Sequence, residues 1–181
     1  MLVEVGVAVP APVGRSSLWT ATAFRRSGVE YGMRSEGVTV TRHSGRLLRA
    51  ITAPAEHGCV ILRDLVSRGD HTKWDPGSSP WHQDDNSVIF CALQAVDGLV
   101  NVEIWDGRPR DVQPHVLFAG ALEVVSGSLA LHDPNEDFVV IVRPHARTCA
   151  VEIMVDEPTF PGLIQIVISP SAGSEPAVEN R

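Results

Sequence analysis

Short runs of Val, Ile, Leu and Thr, interrupted every few residues by Gly, Pro, Asp, Asn or Ser, recur along almost the whole chain. That rhythm constrains the fold more than any other feature. In the N-terminal run Val3, Val5, Val7 and Val9 share one parity while Leu2, Glu4, Gly6 and Ala8 share the other. A 3.6-residue helix would scramble such an alternation, whereas a strand places it on two faces. The same reading gives strands at Leu18 to Ala23, Gly37 to Arg42, Leu47 to Ile51, Gly58 to Leu65, Ser87 to Leu93 and Leu99 to Trp105. It continues with Ala121 to Val125, Ser128 to Leu131, Phe138 to Val142, Ala150 to Val155 and Leu163 to Ile168. No long window keeps an apolar stripe at helical spacing, and 15 Gly with 13 Pro punctuate too often for long helices.

SVIFCAL is apolar on both parities and reads as a strand buried on both faces, while NVEIW and AVEIMV each place one Glu, Glu103 and Glu152, on a wetter face. So many half-apolar strands must bury one face against another sheet. The expected fold is all-β, an antiparallel β-sandwich of two packed sheets with little helix. Residues 1–168 are expected to form a single domain, since either half alone would have too little core. Ser169 to Arg181 has little to bury and reads as a disordered tail. Ser67 to Asn86 reads as one long polar loop carrying Trp74 and Trp81.

Charge narrows the partners. Lys and Arg number 15 against 22 Asp and Glu, a formal charge of −7, which argues against general nucleic-acid binding. Cys59, Cys91 and Cys149 are an odd number set in or beside apolar runs, and read as reduced thiols in a cytoplasmic protein. MLVEVGVAVP lacks the features of a secretion signal. Neither Val116 to Leu122 nor Phe138 to Val142 approaches the ~20 apolar residues of a membrane span.

Motifs that would dictate a mechanism are missing: there is no G-x-S-x-G, no phosphate-binding P-loop, no H-E-x-x-H, no C-x-x-C and no G-x-G-x-x-G. His57 with Cys59, and His145 with Cys149, match no common zinc frame and read as buried thiols near surface histidines. His132-Asp133-Pro134-Asn135-Glu136-Asp137 offers oxygens to a hard cation but lacks a calcium-loop spacing, so a hairpin turn is the better reading. Ser126, His132 and Asp106 could form a triad only by folding together, and no catalytic, metal or cofactor residue is assigned.

Trp81-His82-Gln83-Asp84-Asp85-Asn86 is the most unusual run. An aromatic on an acidic loop can anchor a partner protein or stack on a sugar. Alternatively Trp81 plugs the end of the sandwich while Asp84, Asp85 and Asn86 turn into the next strand. The candidate contact residues are Trp81, His82, Asp84 and Asp85, with Trp105 and Asp106 as a second neighbourhood.

From Leu99 onward the segments VNVEIWDGRP, LEVVSGSLALHD, FVVIVRPHAR and LIQIVISP follow one another in a particular order. Trp105-Asp106 followed by Pro109, the Ser126-Gly127 turn, the strand leading to Arg143 to Arg147 and the last strand closing on Pro170 resemble the competence protein J type of β-sandwich, a nuclease-inhibitor family. The resemblance covers about 70 of the 181 residues. It implies a non-catalytic module that binds a protein and blocks a nuclease or similar enzyme. An acidic surface suits that role, since it can be steered into a basic cleft. The rival readings are a hydrolase with a loop-borne His and carboxylate site, metal-assisted, and a carbohydrate-binding module using Trp74 and Trp81. Open edge strands allow a homodimer.

Overall fold

The computed structural model describes residues 45–171, and the strand readings before Leu47, the N-terminal part of the single-domain reading and residues 172–181 lie outside them. Among the described residues ten strands form, with no helix. They are β1 (Arg46–Ala53), β2 (Cys59–Asp64), β3 (Trp81–Asp84), β4 (Ser87–Cys91), β5 (Val100–Asp106), β6 (His115–Glu123), β7 (Leu129–His132), β8 (Val139–Val142), β9 (Thr148–Val155) and β10 (Leu163–Pro170). No helix among them is long and apolar enough to cross a membrane.

Two five-stranded sheets face each other, ordered β1-β5-β10-β9-β6 and β3-β4-β2-β7-β8. Parity explains why they stack. From β5, Val100, Val102 and Ile104 point inward, from β10 Ile164, Ile166 and Ile168, and from β9 Val151, Ile153 and Val155. From the second sheet Val60, Leu62, Val88, Phe90, Leu129 and Leu131 meet them. Burying a side chain of this kind contributes about 1.5–3 kcal/mol against exposure, so this shared layer dominates the driving force.

The expected antiparallel sandwich is present, with one exception. β10 lies between β9 and β5 and runs parallel to β5, pairing Ile164 with Val102 and Ile168 with Asp106. Strand direction here follows from the hairpin that delivers β10 from β9, which composition does not reveal. SVIFCAL behaves as expected, since all five β4 residues are buried.

Three boundaries differ from the sequence reading. The stretch Ser67 to Asn86 is not a single loop, because Trp81–Asp84 pairs with β4 as strand β3. Asp85 and Asn86 form the two-residue connection, with Asp85 at φ 49°, a conformation that Asp tolerates better than most side chains. β6 starts at His115 rather than Ala121, and a register shift between Val116 and Phe118 bulges it against β9. β10 runs through Pro170, and Ser171 N donates to Thr148 O at 3.0 Å, so the order of the last strand extends past residue 168.

The two lateral sides of the sandwich are built differently. On the β3/β6 side Gln83 Nε2 donates to Ala121 O at 3.0 Å, Glu123 N donates to Asn86 Oδ1 at 3.1 Å, and the Trp81 ring meets Phe118 edge-on at 5.1 Å. On the β1/β8 side Arg46 Nη2 lies 3.2 Å from His145 Nε2, beyond the end of β8, and no side-chain bond joins the two strands themselves among the described residues.

Candidate partner-binding face

Each predicted contact residue has a definite place. Trp81 takes the inward parity of β3, opposite Phe90, and its ring contact with Phe118 makes it a half-buried plug at the sandwich edge. His82 and Asp84 take the outward parity. Trp105 lies on the outer face of the other sheet, half-buried, its indole N–H donating to Glu103 Oε2 at 3.0 Å. The same Glu103 oxygen accepts from Gln165 Nε2 at 3.0 Å, and Gln165 in turn holds the segment after β5 through Gln113 N and Asp111 O. Asp106 pairs with Arg46 at 3.2 Å, with His145 at 3.8 Å. The six residues therefore fall into two groups on different sheets, which the fold does not bring together.

The β3–β4 hairpin is the backbone of the first group, and the segment 65–80 folds along it. Asp85 Oδ2 accepts from Ser67 Oγ and from Arg68 N, both at 3.0 Å, and Asp84 Oδ2 accepts from Asp70 N at 2.8 Å. Asp70 Oδ1 accepts from Thr72 N at 2.9 Å. Asp75 accepts from Ser78 Oγ at 2.6 Å and from Gly77 N at 3.0 Å. These bonds hold three carboxyls below the usual carboxylate range: Asp70 through the Thr72 amide first, Asp75 through the Ser78 hydroxyl first, Asp85 through the Arg68 amide first. Asp70, Asp75, Asp84 and Asp85 are all exposed. The result is an acidic ridge whose carboxylates are fixed by their own backbone.

A histidine pair pins the ridge to the sheet. His71 Nδ1 lies 3.0 Å from His82 Nδ1, the rings are perpendicular with centroids 5.3 Å apart, and His71 Nε2 lies 2.8 Å from Ser87 Oγ. Burial first, then the neighbouring His82, pushes the His71 imidazole below its ordinary pKa. Ser87 itself is buried at 1% exposure, so its hydroxyl serves as an anchor and is not open to a substrate. Trp74 closes the same loop, donating its indole N–H to Ser79 O at 3.0 Å.

The other candidate groupings resolve into turns and buried thiols. Asp133 is fully buried and accepts from Asn135 N at 3.4 Å and Phe138 N at 3.3 Å, which makes the 132–137 run a hairpin staple. His57 meets Asn135. Burial pushes the Cys59 and Cys149 thiols up to about 11. Among the described residues no group of three or more His, Cys, Asp or Glu could hold a metal. Ser126 sits against Asp64, at one end of β2, while His132 pairs with Ile61 toward the other, so no triad assembles with Asp106.

Sequence reasoning missed three participants. Asp64 continues the inward parity of Val60 and Leu62, a signal that was open to reading, and its buried carboxylate accepts from Val125 N, Ser126 N and the Ser126 hydroxyl. Asp70 meets Asp84 only because the loop folds back, while Asp75 caps a turn further along the same loop, and nothing local announces either.

No protein-family model matches the sequence, and no curated protein matches it. The fold does have a counterpart among solved structures. It is similar to the crystal structure of ComJ, inhibitor of the DNA degrading activity of NucA, from Bacillus subtilis, with a TM-score of 0.55 at 6% identity. The match covers 71% of this chain and 100% of that chain, well beyond the Leu99 to Pro170 stretch that carried the sequence resemblance. At that identity the likeness is one of fold, and the β-sandwich of this chain is similar to that of the competence protein J type.

Proposed function

We propose that this chain is a non-catalytic protein-binding module that inhibits a nuclease or a similar enzyme with a basic cleft. The acidic ridge on the β3–β4 hairpin carries the reading: Asp70, Asp84 and Asp85 present exposed negative charge along the sheet edge, and Asp75 on the loop beside it, with their geometry set before any partner arrives. A cleft built for phosphodiesters is lined with cations, and fixed carboxylates can replace the phosphates there. Prior ordering lowers the entropic cost of docking, and a surface on which four carboxylates outnumber the cations Arg68 and Lys73 raises the association rate. The fold likeness to a nuclease inhibitor agrees with this reading.

The test keeps the loop folded while removing its charge. Asn retains an oxygen acceptor for the loop amides, so the combined variant D70N/D75N/D84N/D85N preserves most of the bonds that shape the ridge. Plasmid digestion by NucA, and by other non-specific DNA endonucleases, is followed with the full chain and with this variant. Inhibition by the native chain, weakened at least tenfold in the variant and fading with added salt, is the expected result. Equal inhibition by both would remove the ridge from the account, and no inhibition of any enzyme tested would remove the function. Trp81 is left intact because truncating it would open the core beside Phe118.

A further inference from the structure

Among the described residues no strand covers the β1/β8 side of the sandwich, and arginines gather there. A groove of about 440 Å³ lies between these two edge strands, lined by Leu48 and Arg49 of β1, Ile141 and Val142 of β8, and Arg143 just beyond. Arg46 and Arg143 also line the adjoining hollow, whose one carboxylate, Asp106, is already paired with Arg46. Three exposed guanidiniums thus border an apolar floor, in a protein that carries a net charge of −7. Among the described residues Arg143 makes no hydrogen bond or ion pair, and Arg49 reaches only the adjacent carbonyl of Leu48. No carboxylate lines the groove itself.

Backbone geometry adds a second observation. β1 and β8 are each the last strand of their sheet, so one row of amides and carbonyls on each has no strand partner among the described residues. Val139 and Ile141 are 49% and 44% exposed on the outer face of β8. An extended chain added along this edge would bond to that backbone row and alternate its side chains between two environments. One parity would face inward to Leu48 and Val142, and the other would lie on the outer side beside Ile141 and Arg143, with Arg49 across the groove. β8 has four residues, about 13 Å of strand at ~3.3 Å each, enough to read a segment of four to six residues.

We propose that the β1/β8 groove binds an extended acidic peptide segment of a partner protein, with apolar and carboxylate side chains in alternation, by strand addition. The site is separate from the acidic ridge, being on the opposite lateral side, so the two can succeed or fail independently. Charge selects the peptide, since each carboxylate can be clamped by a guanidinium fork.

Fluorescence polarisation with the full chain tests this. The probe is a labelled eight-residue peptide of alternating Val and Glu, compared with the Val and Lys version and with a Val and Glu peptide N-methylated on alternate amides. The expected result is saturable binding of the first, at least tenfold weaker binding of the other two, and at least tenfold loss for the first in the R49E/R143E variant. Both arginines are exposed, and circular dichroism confirms that the variant folds. Equal binding of the Lys peptide, or no effect of the charge reversal, overturns the proposal. So does stronger displacement of the probe by a DNA duplex, which would make the groove a phosphate surface. A concentration-dependent dimer that the same variant dissolves would assign the groove to a second copy of this chain and overturn the proposal as well.

Discussion

Replacing Asp64 with Ala removes the carboxylate that ties the end of β2 to the turn after β6. Asp64 is fully buried, and both of its oxygens are used: Oδ1 accepts from Ser126 N and the Ser126 hydroxyl, and Oδ2 accepts from Val125 N at 3.0 Å and Ser126 N at 3.2 Å. Hydrogen bonds to a charged group are each worth roughly 1.5–3 kcal/mol. Three donors would set an upper figure of ~9 kcal/mol, but Val125 and Ser126 are exposed and their amides can turn to water. Removing a buried charge also returns part of its desolvation cost. The net expectation for Asp64→Ala is a loss of about 2–4 kcal/mol, or ~4–16 °C in Tm for a chain of this size. Asp64→Asn should lose only about 1 kcal/mol, since its oxygen can keep the two amides while its NH2 group donates to the Ser126 hydroxyl. Urea unfolding followed by tryptophan fluorescence measures both, with the exposed Asp137→Ala as a control expected within ~0.5 kcal/mol. Ala and Asn variants of equal stability, or an Ala variant within ~0.5 kcal/mol of the native chain, would refute the view that this carboxylate anchors the turn.

Two further outcomes follow from titration and burial. Because the folded chain holds the His71 imidazole below its ordinary pKa, the unfolded chain binds the proton more readily, and stability should fall as pH drops from about 7 through 6.5 and level off below the folded value. Double replacement of His71 and His82 by Gln should flatten that part of the stability profile, and an unchanged slope would show that the imidazole pair does not hold the loop. With thiols pushed up to about 11, Cys59 and Cys149 should resist iodoacetamide at pH 7.5, where only ~3 in 10,000 are thiolate, yet react fully in urea; rapid labelling of the native chain would contradict their burial.

How much of this was legible in the sequence depended on whether a contact leaves a periodic trace. Val100, Val102 and Ile104, or Ile164, Ile166 and Ile168, repeat at every second residue because one sheet face is buried, and such strands could be read directly. β3 could not, since three of its four residues are polar and only the parity of Trp81 is set by the core, through Phe118 37 residues away. The direction of β10 was equally silent: the same side chains would serve a strand running either way. Of the candidate site, the acidic run at Asp84 and Asp85 was visible, whereas its extension to Asp70 depends on a loop folding back, and that to Asp75 on a turn further along the same loop. The groove is a property of Arg46, Arg49 and Arg143, which approach one another only when the two sheets stack. Local composition carries no record of such long-range approach.

The parallel seat of β10 has a consequence for how the molecule comes into being. Its partner β5 emerges from the ribosome well before it does, and must wait with one edge unpaired until the β9–β10 hairpin arrives and residues 163–170 fill the centre of the sheet. Closure between partners separated by some 60 residues of chain is slow relative to hairpin formation, and in that interval the apolar edge of β5 is open to neighbouring nascent chains. Deleting β10 would therefore leave β1-β5 and β9-β6 with no strand to join them, so the whole first layer depends on this one segment.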